Sequence, residues 1–168
     1  ICCSKRWWVM SFFLKLFPFA VVLQLLFSEL LTFNGYQANI MLLYVILSSM
    51  PSDNNASQST INGFLVGLFT DFVLFSGVYI GVSSLVFSIC GFWASKVSHN
   101  FAFRNFDLYW IAFVHLGTVI YSLFRYDYFF FNDFLLFLSN CFFVTYFTCF
   151  VGFILIKIFS LKEAILNA

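Results

Sequence analysis

The chain has 168 residues, of which 62% are hydrophobic and only 9% are charged, and its formal net charge is +1. Soluble domains carry about 25% charged residues, so this chain has too little polar surface for a water-soluble globular protein. The near-neutral charge indicates no nucleic-acid partner. We therefore predict an all-α fold: a polytopic bundle of about six transmembrane helices in a single domain.

Six apolar segments follow one another along the chain. Residues 12–31 provide about 20 residues, the length needed to cross a bilayer core of about 30 Å. Residues 38–50 cover only about 20 Å, so this segment needs snorkelling flanks, a locally thin bilayer or a shell of protein. The segments are too long, and alternate too little, to be membrane β-strands. The remaining predicted spans are residues 61–75, 78–94, 106–124 and 134–159, with a polar loop predicted at residues 51–60 and a polar connector at residues 96–105.

Lysine and arginine predict the orientation of these spans, because basic residues concentrate on the cytoplasmic side of a membrane protein. If both termini are cytoplasmic, Arg125 is the only one of the eight lysine and arginine residues on the outer side. Tryptophans and tyrosines are expected at the two interfaces, and all four tryptophans (Trp7, Trp8, Trp93 and Trp110) fall near the cytoplasmic boundary. The cytoplasmic side then carries Lys5, Arg6, Lys15, Lys96, Arg104, Lys157 and Lys162.

One carboxylate lies inside the third predicted span. Asp71 follows Gly63 and Gly67, and Gly77 and Gly81 repeat the same four-residue spacing after it. A carboxylate in hydrocarbon is costly, so we expect Asp71 to face the protein interior or a bound partner. Small residues four apart let helices approach closely, which predicts that spans 3 and 4 pack through these glycines. The alternative for Asp71 is a purely structural one, in which a neighbouring serine or threonine caps its side chain and it only fixes helix packing.

Other polar residues of the predicted spans have simpler interpretations. His115, in the middle of the fifth span, could form a proton relay with Asp71, but a lone intramembrane histidine more often bonds a carbonyl or a hydroxyl group. Asp107 begins the same span, where a carboxylate interacts favourably with the helix dipole. Glu29 can reach the interface. The sequence contains no catalytic triad, no paired carboxylates and no cysteine spacing typical of a metal site, so we predict a non-enzymatic protein without cofactor or metal.

A longer pattern resembles the MreD family of bacterial rod shape-determining membrane proteins. That pattern has a first span, a short second span ending near a proline, the motif G-x-x-x-G-L-x-x-D and a glycine-containing span. Here GFLVGLFTD supplies Gly63, Gly67, Leu68 and Asp71, Pro51 matches the proline, and GVYIGVSSLVFSICGF follows.

The resemblance covers residues 23–91, whereas residues 92–168 match only in hydropathy. It implies a non-catalytic scaffold of the cell-elongation complex (the elongasome) in the bacterial inner membrane. Such a protein would bind the bitopic protein MreC and help couple MreB filaments to peptidoglycan synthesis by the SEDS glycosyltransferase and its transpeptidase. The resemblance makes seven residues candidates for partner binding or assembly: Asp71, Gly63, Gly67, Leu68, Gly77, Gly81 and Pro51.

Two other functions remain open at this stage. The MreD fold is similar to that of the substrate-binding S component of energy-coupling-factor vitamin transporters. An S component would need polar groups that converge in the outer half of the bundle, for which Glu29, Asn34, Arg125 and Asp127 are available. A small respiratory-chain membrane subunit would instead use Asp71 and His115 for proton movement.

Overall fold

All regular secondary structure is helical in the residues that the structure, a computed structural model, describes. These are residues 15–26, 37–50, 56–73, 80–100, 106–125 and 132–158. They form six helices: α1 (Lys15–Leu26), α2 (Ile40–Ser49), α3 (Ala56–Val73), α4 (Val82–Asn100), α5 (Phe106–Arg125) and α6 (Phe134–Ile158).

The bounds of α3 and α4 differ from the predicted spans, whereas α2, α5 and α6 begin and end within two residues of them. α3 begins at Ala56, inside the segment assigned to a polar loop. The hydroxyl of Thr60 donates to the carbonyl of Ala56 at 2.7 Å, so polar side chains are accommodated within this first turn. α4 begins only at Val82 and continues to Asn100, so the predicted connector at residues 96–105 is in part helical.

The shortest helix, α2, lies at the centre of the bundle. Eight of its ten residues are buried, and it contacts α3, α4, α5 and α6. Its length of about 15 Å is half of a bilayer core. Of the three ways in which the sequence could accommodate so short an apolar segment, the structure shows enclosure by protein.

Helices α3 and α4 form an antiparallel pair, which makes the most extensive contact between any two described helices. The buried face of α3 is small or polar: Ser59, Gly63, Gly67 and Thr70. Its exposed residues include Ser57, Gln58 and Asn62 near its start, but most of them are large and apolar: Ile61, Phe64, Leu65, Phe69, Phe72 and Val73. A helix in a water-soluble protein has the opposite distribution. Small residues inside and large apolar residues outside are typical of helices that pack in lipid.

Two of the described helices are long and apolar enough to cross a membrane, namely Asp107–Phe124 within α5 and the whole of α6. The apolar parts of α1, α2 and α4 are shorter, and α3 carries polar residues in its first turns together with Asp71. The two long helices and the apolar outer surface together indicate membrane association. The six-span topology stays a prediction.

Trp110 is wholly buried, so its assignment to an interfacial aromatic belt is wrong. Its six-membered ring lies against Gly152 of α6, so that a Cβ atom there would lie 2.9 Å from the ring, and its indole packs edge-to-face on Phe153 with ring centroids 5.1 Å apart. Trp93 is exposed on α4. Trp7 and Trp8 lie outside the described residues.

Candidate functional site

Gly63 and Gly67 bring the backbone of α3 directly against that of α4. A Cβ atom at Gly63 would lie 2.8 Å from the carbonyl carbon of Phe87. One at Gly67 would lie 2.5 Å from the amide nitrogen of Ser84. Real Cβ contacts are longer, so neither position has room for any side chain. Gly91 of α4 makes a similarly close contact with the α3 backbone. The predicted close packing of spans 3 and 4 is therefore present at Gly63 and Gly67.

Asp71 caps the N-terminus of α4. One carboxylate oxygen accepts a hydrogen bond from the amide of Gly81 at 2.8 Å, and the other accepts a longer one from the amide of Ser83 at 3.4 Å. The first amides of a helix have no partner within the helix, and Gly81, just before α4, has no side chain to supply one. A carboxylate at this end also interacts favourably with the helix dipole.

This arrangement agrees with the structural interpretation of Asp71. The side chain is half-buried and bonded across the α3–α4 pair, so it does not face lipid unpaired. Its partners are backbone amides, not the serine or threonine hydroxyls that the sequence suggested. The carboxylate of Asp71 therefore already has hydrogen-bond partners within the chain, and these bonds join α3 to α4.

The other candidate assembly residues contribute less to this contact. Gly81 has nothing within 4 Å of the position of a Cβ atom, so the prediction that it packs against a neighbouring helix is wrong. Its φ of +104° explains the glycine instead, because other residues are strained in this conformation. Leu68 is half-buried beside Gly67. Gly77 and Pro51 lie outside the described residues.

His115 and Asp71 do not pair. Nδ1 of His115 lies 3.1 Å from the hydroxyl oxygen of Thr145 on α6, and its ring packs on Phe142 with centroids 5.2 Å apart. The structure thus shows the hydroxyl-bonded histidine that was the alternative to a proton relay. Asp107 lies in the first turn of α5, as expected for a residue that favours the helix dipole.

A groove of about 550 Å³ runs between α5 and α6 around His115. It is open to the surface of the bundle, and most of the side chains that line it are aromatic or aliphatic. The lining residues are Ile111, His115, Phe142, Thr145, Tyr146, Cys149, Phe150 and Phe153.

A second side-chain cap, which the sequence analysis missed, lies at the start of α2. The amide oxygen of Gln24 on α1 accepts hydrogen bonds from the amides of Ile40 (2.7 Å) and Met41 (3.3 Å), and its nitrogen donates to the carbonyl of Ala38 (3.1 Å). Gln24 is buried. The signal in the sequence was a single carboxamide within a long apolar run, comparable to Asp71 but without charge.

Asn39 completes this cap. Its side-chain oxygen accepts from the amide of Leu42 at 3.0 Å, and its carbonyl accepts from Leu43 at 3.2 Å. Its own amide donates to the hydroxyl of Thr148 on α6 at 3.0 Å. The first four amides of α2 are therefore all hydrogen-bonded inside the bundle, which removes the penalty of burying a helix end.

The described residues contain no group of three His, Cys, Asp or Glu side chains that could hold a metal ion.

Hydroxyl groups of the helices mostly donate hydrogen bonds to backbone carbonyls of the same helix, as Thr118 does to Val114 at 2.7 Å and Ser88 does to Ser84 at 2.6 Å. Glu29, Asn34 and Asp127, proposed for a vitamin site, lie outside the described residues, and so does the side chain of Arg125.

Comparison with models of known protein families, with curated proteins and with solved structures finds no match to this chain. The resemblance to MreD therefore rests on the motif residues in the sequence alone.

Proposed function

We propose that the chain is a multi-pass membrane scaffold of the MreD type. It acts without catalysis, binds an MreC-like bitopic protein in the bacterial inner membrane, and helps to couple MreB filaments to peptidoglycan synthesis. The observation that carries this proposal is the α3–α4 pair, in which Gly63, Gly67 and Asp71 of the motif act together. The two glycines allow the backbones to meet, and the carboxylate joins the end of α3 to the start of α4.

The positions of the described lysines support the predicted topology. Lys15 begins α1, and Lys96 and Lys157 lie near the ends of α4 and α6. In six alternating spans with a cytoplasmic N-terminus, these three positions lie at the same membrane face. All three lysines are exposed, as residues in contact with water or lipid headgroups are.

The use of the polar groups supports a role in assembly. Asp71 and Gln24 are the most conspicuous polar side chains of the apolar segments, and both are engaged by helix N-termini. The outer faces of α3 and α6 offer large apolar side chains instead. Such surfaces bind lipid or other membrane helices, which is the chemistry that a membrane scaffold needs.

Affinity purification in mild detergent, followed by mass spectrometry, tests this proposal. An MreC-like bitopic protein should co-purify with the tagged chain and be absent from a control purification of an unrelated multi-pass protein. Recovery of paired ATPases with a coupling subunit would instead identify a vitamin transporter component. Recovery of redox subunits would identify a respiratory-chain protein, and either result would refute the scaffold.

A further inference from the structure

The middle of helix α6 is held in the bundle by short side chains. The buried residues of this stretch are Cys141, Thr145, Thr148, Cys149, Val151 and Gly152. Four of them follow each other at spacings of four, three and four residues along one face of the helix, and we call them the seam: Cys141, Thr145, Thr148 and Gly152. The larger side chains between them are half-buried or exposed, so the seam itself buries little apolar surface.

The seam is joined to α5 and to the start of α2 by individual contacts. Cys141 hydrogen-bonds Ser122, Thr145 hydrogen-bonds His115, Thr148 hydrogen-bonds Asn39, and Gly152 lies against Trp110. The distances at Thr145 and Thr148 are 3.1 and 3.0 Å. One interhelical hydrogen bond in a membrane changes helix association by only about threefold on average, so each of these bonds is weak by itself.

Two further features indicate that α6 is held less firmly than α3 and α4 hold each other. A groove of about 550 Å³ runs between α5 and α6, whereas the backbones of α3 and α4 meet directly at Gly63 and Gly67. The indole nitrogen of Trp110, whose ring lies against Gly152, is buried and has no acceptor among the described residues. A buried donor without an acceptor is unfavourable, which lowers the stability of this junction.

Thr148 connects the position of α6 to the start of α2. Its hydroxyl oxygen accepts from the amide of Asn39, and its hydroxyl hydrogen is donated to the carbonyl of Val144 at 2.8 Å. The side chain of Asn39 in turn caps α2 through the amide of Leu42. If α6 moves away, the amide of Asn39 loses its acceptor, and the capping residue of α2 is no longer held in place.

We propose that α6 is a detachable helix, which separates from α5 as one unit while the first turn of α2 opens with it and the α3–α4 pair stays closed. The Thr148 hydroxyl couples the two movements. Such partial opening occurs in the parts of a fold with the fewest buried apolar contacts. It gives access to the centre of the bundle beside α2 without unfolding the chain. This inference does not depend on the function proposed above, because it concerns only contacts among the described helices.

Two wholly buried cysteines lie on either side of the proposed boundary. Cys141 belongs to α6, and Cys90 belongs to α4, where its sulfur lies against Gly117. Each is kept as the single cysteine of the full chain, purified in mild detergent, and is labelled with a small membrane-permeable thiol reagent. Each rate is divided by the rate in the denatured chain. We expect the normalised rate of Cys141 to exceed that of Cys90 by about tenfold or more.

Variants test the coupling through Thr148. Thr148→Val keeps the shape of the side chain but removes the hydroxyl, so it should speed the labelling of Cys141 by about three- to twenty-fold and leave Cys90 unchanged. A cysteine introduced as Met41→Cys, at a buried position in the first turn of α2, should gain by the same factor. Thr118→Val is the matched control, because the hydroxyl of this buried threonine bonds only within its own helix, and it should change none of these rates.

Three results would overturn the proposal. Equal normalised rates at Cys141 and Cys90 would show that α6 opens only when the whole bundle unfolds. Fast labelling of Cys141 that Thr148→Val leaves unchanged would show fraying of the first turns of α6. Labelling of Met41→Cys as slow as that of Cys90 would show that α2 does not open with α6. If Thr148→Val does not fold, the three positions are compared in the unmodified chain and in Thr148→Ser, which retains the hydroxyl and should label alike.

Discussion

Gly67→Ala is expected to destabilise the protein, although alanine is normally the better helix former. The added Cβ would lie 2.5 Å from the carbonyl oxygen of Ser83 and from the amide nitrogen of Ser84. These distances are about 1 Å short of ordinary contact, which begins at about 3.5 Å. Both neighbours are backbone atoms of α4, so no side-chain rotation relieves the clash, and α3 must move away.

The magnitude follows from two opposing effects. Overpacking in a tight core costs about 1–3 kcal/mol. Replacing glycine by alanine in a helix interior contributes about 0.5–1 kcal/mol in the opposite direction. Because the clash involves rigid atoms, we expect it to dominate, with a net loss of about 1–2 kcal/mol in the free energy of unfolding. A chain of this size loses about 2–4 °C in melting temperature per kcal/mol, so Tm should fall by about 2–8 °C.

Size-exclusion chromatography of a fluorescent fusion in detergent, after heating to a series of temperatures, measures this shift. Leu65→Ala is the matched control, because Leu65 is exposed on the other face of the same helix turn. Gly67→Leu, with a larger side chain, should lower the folded yield further. A Gly67→Ala protein as stable as the unmodified chain, or more so, would refute the close approach of α3 and α4.

Three further predictions concern the caps and the topology. Asp71→Ala removes the cap of α4 and should lower the free energy of unfolding by about 0.5–2 kcal/mol, whereas Asp71→Asn keeps one acceptor oxygen and should lower it less. If Asp71→Asn has normal stability but the partner no longer co-purifies with it, the charge acts in partner recognition. Gln24→Leu leaves two buried amides of α2 without an acceptor, which destabilises the fold by about 1–3 kcal/mol for each amide, so the folded yield should fall. Leu25→Ala is the control, because Leu25 is the neighbouring residue but is exposed, and its folded yield should stay normal. A single cysteine at Phe130 on a cysteine-free background should react with an impermeant thiol reagent from outside; reaction only from the cytoplasm would contradict the six-span model.

The sequence predicted the bounds of those helices whose apolar segments end at polar residues. It predicted the wrong bounds where the helix continues through polar residues. The first turn of α3 contains Ser59 and Thr60, and the last turns of α4 pass Lys96, so hydropathy assigned both segments to loops. Ser59 is buried against α4, and Lys96 is exposed with its ammonium group near the ring of Phe92. These helix bounds depend on how individual side chains pack or are exposed, and an average of hydropathy over a segment contains no information on either.

The site was predictable where its chemistry depends on spacing. Glycines four residues apart lie on one helix face, so Gly63 and Gly67 predicted a close helix contact. The partner of Asp71 was not predictable, because backbone amides are present at every residue and only the fold selects those of Gly81 and Ser83. Gln24 was missed for the same reason, since the fold alone brings the start of α2 beside it.

The central position of α2 has a consequence for how the protein is made. In the proposed six-span topology, α2, at about 15 Å, covers only half of the bilayer core, and its first amides require hydrogen-bond partners within the bundle. Gln24 precedes it in the chain, but Thr148, which accepts from Asn39, is synthesised more than a hundred residues later. The site that encloses α2 is therefore complete only when α6 has entered the bundle. A chain inserted with this topology would therefore complete the hydrogen bonds at the start of its second helix only after its last helix has entered the bundle.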